Sequence, residues 1–179
     1  MILLVLVKSL TVIYITGLGS ANEFAIIIAP KTENLLAMNN SVDSLWHYYQ
    51  QTEFLFTQML STQLSFAIIT AYNPKGELLS PCQNGLLDRK LQHEINRLGL
   101  PYRAMIGASQ DRSHMEKSWA VSTDKASAVR LGCLFNQNAI FYIEADTLQL
   151  VPCLMSREET SLGAFSPRVD WVLDLPDIA

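Results

Sequence analysis

The chain has 179 residues, enough for one domain with a substantial core. Its residues are 49% hydrophobic and its formal net charge is -4, which argues against an electrostatic nucleic-acid binder, since that function needs a basic face. The three cysteines, Cys82, Cys133 and Cys153, form no Cys-x-x-Cys pair, so free thiols in a reducing, cytoplasmic setting are expected, with no metal site.

Residues 1–37 form an apolar extension with three competing readings. Met1 to Leu18 is apolar around Lys8, and Gly19-Ser20-Ala21 resembles a signal-peptidase site, which would make the chain exported or anchored through residues 1–21. Lys8, however, splits the apolar run that a signal peptide or a membrane span needs. Alternatively, the chain begins in effect at Met38, or the extension is structured, with a strand at Phe24–Ala29. A membrane partner follows only if residues 1–30 are an anchor.

From Ser41 the pattern predicts a helix. Ser41 or Asp43 can cap it, and Val42, Leu45, Trp46, Tyr49, Glu53 and Phe56 recur at helical steps, with Glu53 the one polar exception, ending near Phe56. Phe66-Ala67-Ile68-Ile69-Thr70-Ala71-Tyr72 then reads as a strand buried on both faces, because it is short, uncharged and β-branched. Asn73-Pro74-Lys75-Gly76 fits a type I turn. It places Tyr72 and Asn73 at the carboxyl end of a central strand, a usual position for a ligand in open α/β sheets.

Next, Asn84 is expected to cap a helix running to Leu98 with Leu87, Leu91, Ile95 and Leu98 on one stripe, closed by Gly99 and Pro101. Strands are expected at Tyr102–Gly107 and Met115–Ser122, then a helix capped by Ser122 or Thr123, with Ala128, Leu131 and Phe135 inside. Ala139–Ile143 and Leu148–Val151 form a hairpin about Ala145-Asp146. The order is that of an α+β fold of split βαβ, ferredoxin-like type: β-α-β-β-α-β plus a C-terminal hairpin strand, with an N-terminal helix packed on the sheet. The expected domain spans 38–155, and 156–179 reads as a surface-wrapping tail in which Trp171, Val172 and Leu173 dock.

Two constellations carry candidate chemistry. His114, Glu116 and Ser118 occupy alternate positions, so on a strand they share a face, with imidazole and carboxylate about 7 Å apart along it. This makes His114 and Glu116 a candidate acid/base or metal pair, with Ser118 or Cys82 assisting. Against it stands the plain solvent face of an amphipathic strand. The His-x-Glu spacing followed by Pro152-Cys153 lacks the second cysteine of the zinc deaminase signature, so that chemistry is set aside. The second constellation is Asn73, Asn84, Glu116 and Gln137, polar residues that end or open elements beside the central strand. They form a candidate ligand site, against the alternative of capping and turn closure.

The run from Phe66 to Pro74, then Asn84 and the helix to Gly99, resembles a bacterial family catalogued as domain of unknown function 3293. His114-Met115-Glu116-Lys117-Ser118-Trp119-Ala120-Val121 and Phe135-Asn136-Gln137-Asn138-Ala139-Ile140 are similar to its other blocks. The resemblance covers roughly residues 45–152 and implies no established activity or cofactor. The function expected is therefore a small globular domain that binds a small ligand or a protein partner. The alternative is a hydrolase- or transferase-like enzyme built on His114 and Glu116. A third class, an interaction module, would expose Trp46, Tyr49 and Trp171.

Overall fold

A computed structural model describes residues 11–15, 26–30, 43–58, 60–61 and 63–178. The chain divides into two compact units, Met1–Ser44 and Leu45–Ala179. In the first, β1 (Thr11–Ile15) pairs antiparallel with β2 (Ile26–Pro30), in register Thr11↔Pro30 to Ile15↔Ile26. The rest of the signal-like stretch, the cap at Ser41 and the start expected at Met38 lie outside the described residues. Among the described residues no helix is long and apolar enough to cross a membrane.

Helix α1 spans 43–50, shorter than expected, and Thr52 N donates to Tyr49 O as the chain turns. The next four residues, Glu53–Phe56, form a strand, β3, where the sequence pattern predicted continuing helix. The reason is two-sided burial. Phe54 and Phe56 enter one core and Leu55 another, an alternation only extended backbone can make.

The second unit is built on an eight-stranded sheet of order β10-β3-β5-β6-β4-β7-β8-β9. Its other strands are β4 (Phe66–Thr70), β5 (Tyr102–Ala108), β6 (Met115–Val121), β7 (Ala139–Glu144), β8 (Thr147–Pro152), β9 (Thr160–Ala164) and β10 (Val169–Trp171). Helix α2 (Pro81–Arg97) connects β4 to β5, and α3 (Lys125–Leu134) connects β6 to β7. All neighbours pair antiparallel except β10, which runs parallel to β3. The fold is α+β.

The segment expected as a tail therefore supplies two strands of the sheet. Arg168 holds it down, its Nη1 donating to Gln50 O at 2.6 Å. Val172, Leu175 and Ile178 cover Leu55 and Ile106, whereas Leu173 is 98% exposed rather than docked.

Both sheet faces are apolar, as the uncharged β4 run requires. One face packs Ala67, Ile69, Trp119, Val121, Ile140 and Tyr142 against Leu91 and Ile95 of α2 and Ala128 and Leu131 of α3. The other is filled by Phe54, Phe56, Phe66, Ile68, Met105, Ile143 and Phe165. Phe54 on β3 and Phe141 on β7 lie four strand spacings apart, about 19 Å in a flat sheet. Their ring centroids are 5.0 Å apart, so the sheet curls strongly and this face is the inside of the curl.

Candidate functional site

The site grows from the end of β4. Thr70 Oγ1 donates to Lys117 O and accepts from Tyr72 N, both at 2.9 Å, tying off the strand. The turn that follows is closed by Gly76 N donating to Asn73 O at 2.8 Å. Lys75 sits at φ 59°, ψ 14°, so the turn has the positive-φ third residue of type II rather than the expected type I. Asn73 is itself left-handed at φ 47°, a region its short polar side chain tolerates.

Helix α2 begins earlier than predicted. Ser80 is its N-cap, joined to Gln83 in a capping box, with Pro81 at the first helical position. Asn84 therefore lies inside the first turns and does not open the helix. The buried stripe is Asn84, Asp88, Leu91 and Ile95, while Leu98, expected inside, is 48% exposed. This stripe is polar where it approaches the turn and apolar beyond.

Asn84 and Asn73 clasp each other. Asn73 N donates to Asn84 Oδ1 at 2.9 Å, and Asn84 Nδ2 donates to Asn73 Oδ1 at 3.1 Å. Leu79 N also donates to Asn73 Oδ1, at 2.9 Å. The remaining group of that side chain, Nδ2, donates to Glu116 Oε1 at 2.7 Å. His114 Nε2 reaches the same oxygen at 3.1 Å. That hydrogen bond, against the opposing effect of burial, raises the His114 pKa above its ordinary value. His114 lies in the loop just before β6, and its side chain is 56% exposed.

The other expected residues fall around this chain of bonds. Gln137, buried, donates from Nε2 to Tyr72 O at 3.1 Å and so touches the site through backbone. Ser118 is buried and its Oγ donates to Glu116 O at 3.3 Å, a backbone contact rather than one with the carboxylate. Cys82 is exposed in the first turn of α2. Of the aromatic residues expected to be exposed for a partner, Trp46 is buried and Tyr49 half-buried, so they form no patch with Trp171.

Two neighbours, Asp88 and Lys117, were not singled out in the sequence as site residues. Asp88, buried on α2, accepts from Lys117 Nζ at 2.8 Å with one oxygen and from Trp119 Nε1 at 2.8 Å with the other. Lys117 Nζ also lies 4.6 Å from the centre of the Trp119 ring. Stepping back from Leu91 by three and then four residues finds Asp88 and Asn84, a signal present in the sequence. Tyr49 accepts from Asn138 Nδ2 at 3.3 Å. The pKa of Tyr72 is raised, first by burial and then by the carboxylates of Asp88 and Glu116, and that of Tyr49 first by burial. Among the described residues no group of three or more His, Cys, Asp or Glu is placed to hold a metal ion.

These features define an α+β domain with a hydrogen-bonded polar cluster at the carboxyl end of its central strand. Residues 69–140 match a family model described as protein of unknown function, DUF3293, so the resemblance holds from within β4 to the start of β7. No curated protein and no solved structure shows a significant match.

Proposed function

We propose that the domain binds a small polar molecule at the carboxyl end of β4, with Glu116 as its anchor. One observation carries this reading: both hydrogen bonds to the carboxylate fall on Oε1, and Oε2 has no partner among the described residues. The side chain is 21% exposed, so a ligand donor can reach that oxygen. The Asn84–Asn73 clasp holds the carboxylate in place beforehand, which lowers the ordering cost of binding. The accompanying fold reading is the split βαβ pattern, supported by the strand order β5-β6-β4-β7 with α2 and α3 as its two crossovers.

A second reading is favoured by the His114–Glu116 bond, which has the geometry of an acid/base pair. It lacks a nucleophile: Ser118 bonds to backbone and no base adjoins Cys82 among the described residues.

The test is thermal unfolding of the full chain with a panel of small non-aromatic amine, amide and polyhydroxy compounds. A ligand at a hundredfold excess over its Kd stabilises by about 2.7 kcal/mol. The expected result is a shift that Glu116→Gln removes and His114→Ala leaves. A shift lost equally in both favours the paired acid/base reading. No shift, or one indifferent to Glu116→Gln, overturns the proposal.

A further inference from the structure

The inside of the curled sheet contains a second feature, separate from the Glu116 cluster. A partly open cavity of about 270 Å³ is lined by Phe56, Phe66, Ile143, Phe165, Trp171 and Asp146, among others. Voids this large are few in close-packed proteins, and an apolar cavity of about 150 Å³ already takes benzene. The rings are fixed by one another. Phe165 meets Phe66 edge-on at 5.5 Å and Phe56 at 6.1 Å, and Phe56 lies 6.3 Å from Trp171. They therefore cannot collapse into the space without breaking the packing that holds β10 and the Phe165 segment.

Among the described residues that line it, one is ionisable, Asp146. It lies in the two-residue hairpin turn between β7 and β8, where Ala145 and Asp146 both have positive φ. Its Oδ1 accepts from Ser166 N at 2.9 Å and from Ser166 Oγ, which orients the carboxylate, while Oδ2 has no partner among the described residues. An aromatic enclosure with one fixed anion at its wall suits an aromatic ring that carries a cation. We propose that this cavity is a binding site for a small arylalkylamine, its ring among Phe56, Phe66, Phe165 and Trp171 and its ammonium on Asp146.

The test uses 2-phenylethylamine as the probe and 3-phenylpropionate, an anionic analogue of similar shape, as the comparison, each titrated into the full chain and followed by tryptophan fluorescence. Saturable binding of the amine is expected, with the acid at least tenfold weaker. Asp146→Asn keeps an acceptor for Ser166 and should weaken the amine at least fivefold. Val169→Phe, which fills the cavity from β10, should abolish binding. If that variant fails to fold, the Asp146→Asn titration decides alone. The titration is repeated on Glu116→Gln, because that carboxylate also attracts an ammonium, and unchanged affinity is expected there. Equal binding of amine and acid, no saturation, indifference to Asp146→Asn, or loss in Glu116→Gln each overturns the assignment.

Discussion

Asn73 Nδ2 donates to Glu116 Oε1 at 2.7 Å across a sequence separation of 43 residues. The bond joins the turn after β4 to the start of β6, and Asn84 fixes the donor from behind. Removing Asn84 strands the part-buried Asn73 N–H, so Asn84→Ala should cost about 1–3 kcal/mol. Glu116→Gln keeps an acceptor for Asn73 and should cost under about 1 kcal/mol. Urea unfolding of the two variants measures the contrast, and equal losses would mean the clasp does not hold the turn.

The His114–Glu116 pair makes stability depend on pH. Because the folded pKa of His114 is raised, its contribution is complete below the unfolded value, near 6.5, and disappears as pH rises through the folded value. The pair is solvent-exposed on the imidazole side, so the effect should stay below about 1 kcal/mol. Chemical denaturation at pH 5.5 and pH 8.5 should show His114→Ala less stable than the parent at the lower pH and level with it at the higher. A gap that widens with pH would contradict the bond.

Asp88 and Lys117 should respond asymmetrically. Lys117→Met leaves a buried carboxylate with the Trp119 N–H alone, a loss of about 3–5 kcal/mol. Asp88→Asn leaves a lysine whose side chain is 35% exposed and can turn to water, so about 1–3 kcal/mol is expected. Thermal unfolding of both variants decides whether the order holds.

Gly132 is a packing glycine. A Cβ there would lie 2.7 Å from Cys153 Sγ and 2.8 Å from Ile140 Cγ2, both held between α3 and the β7–β8 hairpin. Gly132→Ala should therefore cost about 1–3 kcal/mol through overpacking. Its denaturation midpoint should fall while the slope stays unchanged, and a neutral result would mean that α3 can lift.

The three thiols should separate by reactivity. Burial, with the adjoining Cys133, pushes the Cys153 thiol up to about 12, whereas Cys82 is exposed. Iodoacetamide at pH 8 should label Cys82 first and Cys153 only on unfolding. Mass spectrometry of the timed reaction reads the order directly.

The sequence by itself determined most of the element order, because local signals carry it. The uncharged β4 run, the Gly99-Pro101 stop and the Ala145-Asp146 turn each specify backbone without distant partners. It also singled out Asn73, Asn84 and Glu116, which hydrogen bonds join, whereas Gln137 reaches only backbone carbonyls. Tertiary structure decided the rest. Glu53–Phe56 took up strand rather than helix because an apolar core waits on each of its faces. Residues 160–171 became sheet edges because β8 and β3 offered unpaired backbone, a demand no periodicity in that segment announces. The depth of the curl, and with it the aromatic cavity, follows from Phe54 and Phe141 meeting across four strands. Such contacts are set by the summed twist of the sheet, which no single stretch of chain encodes.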